Sequence, residues 1–121
     1  MTDNVLVLAY IGDAIYELYI RKYLISKNIV KVDTLQKEAI KYVSAKSQSV
    51  ILEKLIDNNF FTQEEIDIIK RARNHKGNRH PKNTDILTYK HATAFEAIIG
   101  YYYLNNDPKL EEIMTFIYEM K

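Results

Sequence analysis

Apolar residues recur at spacings of three and four along most of the chain. No run alternates apolar and polar residues as a half-buried strand does. Only three glycines and two prolines interrupt the 121 residues. The expected class is therefore all-α, one domain over residues 1–121. The first helix is predicted from about Asn4 to Ser26 and is apolar on more than one face. That suits either a central helix or one shared with a partner chain. A second helix is predicted from Asp33 or Thr34, either of which can cap, to Val43. A third runs from a Ser44 cap to Ile56. Thr62-Gln63-Glu64-Glu65 has capping-box spacing and opens a fourth helix, which carries Ile66, Ile69 and Ala72 inward and ends near Asn74. Lys76 to Thr88 is predicted to be irregular, because Gly77, Asn78, Pro81, Asn83 and Asp85 all favour turns. A helix from about Tyr89 to Leu104 follows. Asn105-Asn106-Asp107-Pro108 breaks it and starts the last helix, with Asp107 as cap and Pro108 in the first turn.

Charge adds a direction to this helical picture. The net charge is only +1, but six of the 17 basic residues (Lys70, Arg71, Arg73, Lys76, Arg79 and Lys82) fall in one short stretch that holds none of the 16 acidic ones. A local basic patch on a mildly acidic body attracts polyanions at one place. Arginine forks and asparagine amides suit phosphate and sugar contacts, so Arg71, Arg73, Asn74, Lys76, Arg79, Lys82 and Asn83 are candidates for nucleic-acid binding. The alternative is an ordinary solvated surface. The chain has no cysteine, which excludes disulfides and thiolate metal sites and fits a reducing cytoplasm. The apolar run from Val5 to Ile11 is far shorter than the ~20 residues of a membrane span. Neither a membrane span nor a secretory leader is expected.

Two acids stand out from their surroundings. Asp13 lies in Leu8-Ala9-Tyr10-Ile11-Gly12-Asp13-Ala14-Ile15-Tyr16-Glu17, and Glu96 in Ala92-Thr93-Ala94-Phe95-Glu96-Ala97-Ile98-Ile99-Gly100-Tyr101. Desolvating a carboxylate costs free energy, so one rarely sits among apolar neighbours without a partner, a metal or a task. Ala9, Gly12 and Ala14 are small enough to let another backbone or a ligand come close, and Thr93, Glu96 and Gly100 share a helix face. Two carboxylates meeting in such a notch would offer oxygen ligands to Mg²⁺, which keeps several waters and commonly binds through one or two carboxylates plus substrate phosphates. A lone aspartate in an apolar helix equally suits a bond to a neighbouring helix. Glu17 and Arg21 stand i, i+4 and are expected to pair on the helix face. The ten tyrosines are expected as amphipathic core and interface residues. His75 and His80 are expected to be solvated, and His91 carries no assignment. Walker loops, Gly-x-Ser-x-Gly, Glu-x-x-His and zinc spacings are absent from the sequence.

At these residues the chain resembles a known family. Tyr10-Ile11-Gly12-Asp13-Ala14 is similar to the signature helix of the ribonuclease III catalytic domain, and Phe95-Glu96-Ala97-Ile98-Ile99-Gly100 with Tyr103-Leu104 to that family's second acidic motif. Val43-Ser44-Ala45-Lys46-Ser47-Gln48, Arg71-Ala72-Arg73-Asn74 and Pro81-Lys82-Asn83-Thr84-Asp85 narrow the resemblance to Mini-ribonuclease III, the short bacterial branch with the catalytic domain alone.

The resemblance implies the all-helical ribonuclease III endonuclease fold and a homodimer with the signature helix at or near its interface. It implies Mg²⁺-dependent cleavage of double-stranded RNA, with Mn²⁺ as a substitute. A metal-bound hydroxide would give 5′-phosphate and 3′-hydroxyl ends. Asp13 and Glu96 match the catalytic, metal-holding acids. The branch is associated with maturing the paired ends of precursor 23S ribosomal RNA, in the cytoplasm, with a large-subunit ribosomal protein as a further partner. Longer members usually carry glutamates seven and four positions before the signature aspartate, and an aspartate three before the second glutamate. Leu6, Ala9 and Thr93 stand there instead. With no separate RNA-binding domain, substrate grip is expected from the Lys70–Asn83 region. The missing acids also favour an alternative, a catalytically lapsed domain that binds structured RNA.

Overall fold

Helices are the regular elements of the described residues, which are Thr2, 4–76 and 85–120 of a computed structural model. They are α1 (Val5–Ser26), α2 (Val32–Val43), α3 (Ala45–Asp57), α4 (Gln63–Arg73), α5 (Ile86–Leu104) and α6 (Lys109–Glu119). Local chemistry sets most of their ends. Asn4 caps α1 by accepting from the amides of Leu6 and Val7, and Ser44 caps α3 by accepting from Ser47. Thr62 and Glu65 form the expected capping box, each side chain accepting from the other's backbone N–H. Asp107 accepts from the amide of Lys109 at 2.9 Å, with Pro108 in helical conformation beside it.

Two starts differ from the pattern. α2 begins at Val32, one residue before the expected caps. Asp33 then lies in the first turn, where its charge complements the helix dipole instead of capping. α5 begins at Ile86 rather than Tyr89. The Asp85 carboxylate accepts from both the amide and the hydroxyl of Thr88, which draws the preceding residues into the helix. The rest of the expected irregular segment, 77–84, lies outside the described residues.

Asparagine ends three helices. Asn28, Asn59 and Asn106 follow the last residues of α1, α3 and α5 with φ of 65°, 54° and 50°. Asparagine tolerates this left-handed region better than other side-chain-bearing residues. After α3 the amides of Asn59 and Phe60 reach the carbonyls of Ile56 and Leu55. After α5 those of Asn106 and Asp107 reach Tyr103 and Tyr102. Both pairs are Schellman closures that satisfy terminal carbonyls.

The most enclosed helix is α5: from Ala92 to Gly100 every residue but Glu96 is buried. α1, α3 and α4 pack around it, and α2 covers α1 and α3. The buried face of α4 is Glu65, Ile68, Ile69 and Ala72, with Ile66 only half-buried, so Ile68 takes the inward place expected for Ile66. Lys109 of α6 reaches Glu65 at 2.6 Å and the Phe60 carbonyl at 3.0 Å, tying α6 to the start of α4. The Tyr118 ring stacks on Tyr23 at 4.1 Å, fastening the end of α6 to α1. The outer side of α1 stays apolar and open, with Val7, Tyr10, Leu18 and Ile25 exposed.

α1 and α5 touch through their backbones. A Cβ at Gly12 would overlap the Glu96 carbonyl, and one at Gly100 would overlap the Leu8 carbonyl. Neither obstacle is a flexible side chain. Gly12→Ala or Gly100→Ala is therefore expected to force the helices apart and lower stability by about 1–3 kcal/mol, as overpacking does. Urea unfolding followed by circular dichroism measures the change.

Candidate functional site

The close crossing of α1 and α5 fixes the site. Asp13 follows Gly12 directly, and Glu96 lies one turn before Gly100, so the backbone contact brings the two carboxylates together. They come within hydrogen-bonding reach of each other. Asp13 is exposed and Glu96 half-buried. Burial, reinforced by the charge and hydrogen bond of Asp13, pushes Glu96 up from the usual carboxylate range to about 8. A hydrogen bond from the Gln48 amide at 3.4 Å acts in the opposite direction.

Glu17 also raises the affinity of Glu96 for its proton, although its carboxylate pairs with Arg21 at 3.5 Å on the exposed face as expected. The positions where longer family members carry acids supply no ligand. Ala9 and Thr93 are buried, Leu6 is half-buried, and the Thr93 hydroxyl donates to the Tyr89 carbonyl of its own helix. Among the described residues no group of three histidines, cysteines or acids could hold a metal. Among the described residues the site therefore offers two carboxylates. Their chemistry fits a hard divalent cation, to which two neighbouring carboxylates offer oxygen donors.

Gln48 is the site residue that the apolar pattern did not single out. It stands three before Ile51, four before Leu52 and seven before Leu55, on the inward stripe of α3, and it is buried. A glutamine on that stripe was the available signal. One step along, Ser49 and the ring of His91 lie 3.4 Å apart, linking α3 to α5.

Lys70 and Arg71 lie near the start of α1. Lys70, Arg71 and Arg73 occupy the last turn of α4, where cations complement the helix dipole. Arg71, Asn74 and Lys76 are exposed; Arg73 is half-buried, its Nε donating to Asn74 at 3.4 Å. His75 is half-buried rather than solvated, and with Lys70, Arg71 and Asn74 it lines a recess against Asn4 and Val5. At the α-helical rise, Val5 and Asp13 are about 12 Å apart along α1. Arg79, Lys82, Asn83 and His80 lie outside the described residues.

The Glu96 shift has a stability consequence. Between pH 4.5 and 8 the folded chain holds a proton that the unfolded chain releases, so metal-free stability falls as pH rises through this window. Melts in a chelating buffer are expected to show a steeper loss from pH 5 to pH 8 for the wild type than for Glu96→Gln, which cannot ionise.

Comparison with known proteins follows the same lines. The Ribonuclease III domain model matches residues 6–107. A Mini-ribonuclease 3 from Clostridium tetani is 48% identical over 116 residues, covering 94% of this chain and 76% of its own length. One from Staphylococcus aureus is 45% identical, covering 94% and 86%. A crystal structure of a protein from Fusobacterium nucleatum superposes with a TM-score of 0.84 at 38% identity, covering 97% of this chain and 98% of that one. The acids in their apolar helices, the crossing that joins them and these similarities agree: the chain belongs to the ribonuclease III family and is an endoribonuclease.

Proposed function

We propose that residues 1–121 form a Mg²⁺-dependent catalytic domain that cleaves double-stranded RNA, with Asp13 and Glu96 holding the metal. The observation that carries this reading is the meeting of these two carboxylates across the α1–α5 crossing. Acting on duplex RNA with a divalent cation is the general habit of the family. Bound at the pair, the cation would supply a water nucleophile at neutral pH and offset charge on the phosphodiester. Mn²⁺ would serve in its place. Asp13, exposed, faces the arriving substrate; Glu96, half-buried, is held from behind by α3. With Leu6, Ala9 and Thr93 supplying no acid, waters and RNA oxygens would have to complete the coordination. Hydrolysis in this arrangement leaves a 5′-phosphate and a 3′-hydroxyl.

Arg71, Arg73, Asn74 and Lys76 grip the RNA backbone beyond the scissile bond, joined by Arg79, Lys82 and Asn83. A-form RNA offers such residues phosphates and 2′-hydroxyls more readily than base edges. The exposed apolar face of α1, where Tyr10 is 82% exposed, supports a homodimer in which a second copy covers that face. Two sites would then cut opposite strands. The resemblance to Mini-ribonuclease III favours the paired ends of precursor 23S ribosomal RNA in the cytoplasm as the substrate, with a large-subunit ribosomal protein as a partner there.

Cleavage of a labelled RNA duplex with Mg²⁺ tests the site. Asp13→Asn and Glu96→Gln are each expected to lower kcat by about 10²-fold or more, the scale of losing one electrostatic contact to a transition state. Wild-type rates in both variants would sink the assignment. Filter binding across a salt series tests the grip. Arg71→Ala and Lys76→Ala should each weaken binding and flatten the dependence of log affinity on log salt by about 1.

A further inference from the structure

Gln48 has an environment that a purely structural residue would not need. It is 2% exposed. Its Nε2 donates to the Val43 carbonyl at 3.1 Å and to Glu96 Oε2 at 3.4 Å. Its Oε1 is buried without a partner among the described residues. A buried amide oxygen left without a hydrogen bond costs stability. Ile51, Leu52 and Leu55 share the same inward stripe, so a leucine or methionine at 48 would fill similar space without that cost. The glutamine nevertheless points a donor at the carboxylate facing Asp13.

The second bond explains how that donor is aimed. Val43 is the last residue of α2, and its carbonyl is one of the terminal acceptors that the helix leaves unsatisfied. By donating to it, the Gln48 amide anchors its plane on the α2–α3 corner, next to the Ser44 cap that starts α3. The carboxylate of Glu96 is thus held from the α2–α3 corner, which the Tyr16 hydroxyl of α1 also meets at the Tyr42 carbonyl. Such supports fix the direction of a metal-binding carboxylate and tune its strength.

We propose that Gln48 is the positioning residue for Glu96: it aims the Glu96 carboxylate toward the Asp13 side, and its unpartnered Oε1 accepts a hydrogen from water held at the site. This rests on the reading of Asp13 and Glu96 as the metal-holding pair.

The test uses the full chain without RNA, titrated with Mg²⁺ alone and followed by ¹H–¹⁵N spectra. The Gln48 side-chain amide signals are expected to move with the backbone signals of Asp13 and Glu96, and to saturate at the same Mg²⁺ concentration. Glu96→Gln should abolish the movement. A Gln48 signal that stays in place while those of Asp13 and Glu96 move overturns the positioning role and leaves the pair intact. If neither Asp13 nor Glu96 responds, the pair and the positioning role fall together. In a second arm, Gln48→Met is expected to lower Mg²⁺ affinity and kcat by about 10- to 100-fold, with KM for duplex RNA within about twofold of wild type. A folded Gln48→Met variant with wild-type Mg²⁺ affinity and kcat overturns the proposal. Should that variant not fold, the wild-type titration decides.

Discussion

The contact between the backbones of α1 and α5 is the constraint on which the rest of the structure depends. Helices usually meet through side chains, which keep their axes about 8–10 Å apart. Gly12 and Gly100 remove those side chains at the crossing, each leaving only hydrogen where a Cβ would strike a carbonyl of the other helix. Everything near the site inherits its position from this. Asp13 and Glu96 face each other because each is anchored beside one of the two glycines. α5 can be enclosed almost completely because α1 lies so close along one side, leaving α3 and α4 to close the others.

The same constraint sets the electrostatics of the two acids. Carboxylates on two helices at ordinary spacing would each find water more easily than one another. Burial raises the cost of ionising Glu96, and the charge of Asp13 brought beside it adds to that cost. A cation relieves that cost directly. The positive residues at the end of α4 do not, since they sit beside Val5, more than two turns of α1 from Asp13. Among the described residues, Lys70 and Arg71 are thus kept apart from the two carboxylates along α1.

The meeting of Asp13 and Glu96 was legible in the sequence, because an acid in an apolar helix violates the pattern around it. Asp13 and Glu96 announce themselves this way, and the small residues beside them announce the close approach. The capping box at Thr62 and the break at Asn105–Pro108 were legible for a similar reason: both are local, and a few adjacent residues decide them. Gln48 was harder to see. A single glutamine on an apolar stripe is ambiguous until its neighbour across the fold is known, and Glu96 is distant in sequence. The start of α5 is not legible from the sequence, because Asp85 suits a turn as well as the cap that its carboxylate forms. The centre of the fold was also open to two readings. α1 has apolar residues on several faces and could have been the buried helix; in the structure α5 takes that place, and α1 keeps one apolar face outward.

The crossing of α1 and α5 joins an early segment of the chain to a late one. Contacts of this kind form only after the intervening chain has been made and ordered. During synthesis the N-terminal helix emerges first and must wait for α5 before Gly12 has anything to pack against. Until then Asp13 has no Glu96 opposite it. The topology therefore makes the pairing of the two carboxylates a late event, possible only once the fifth helix has left the ribosome.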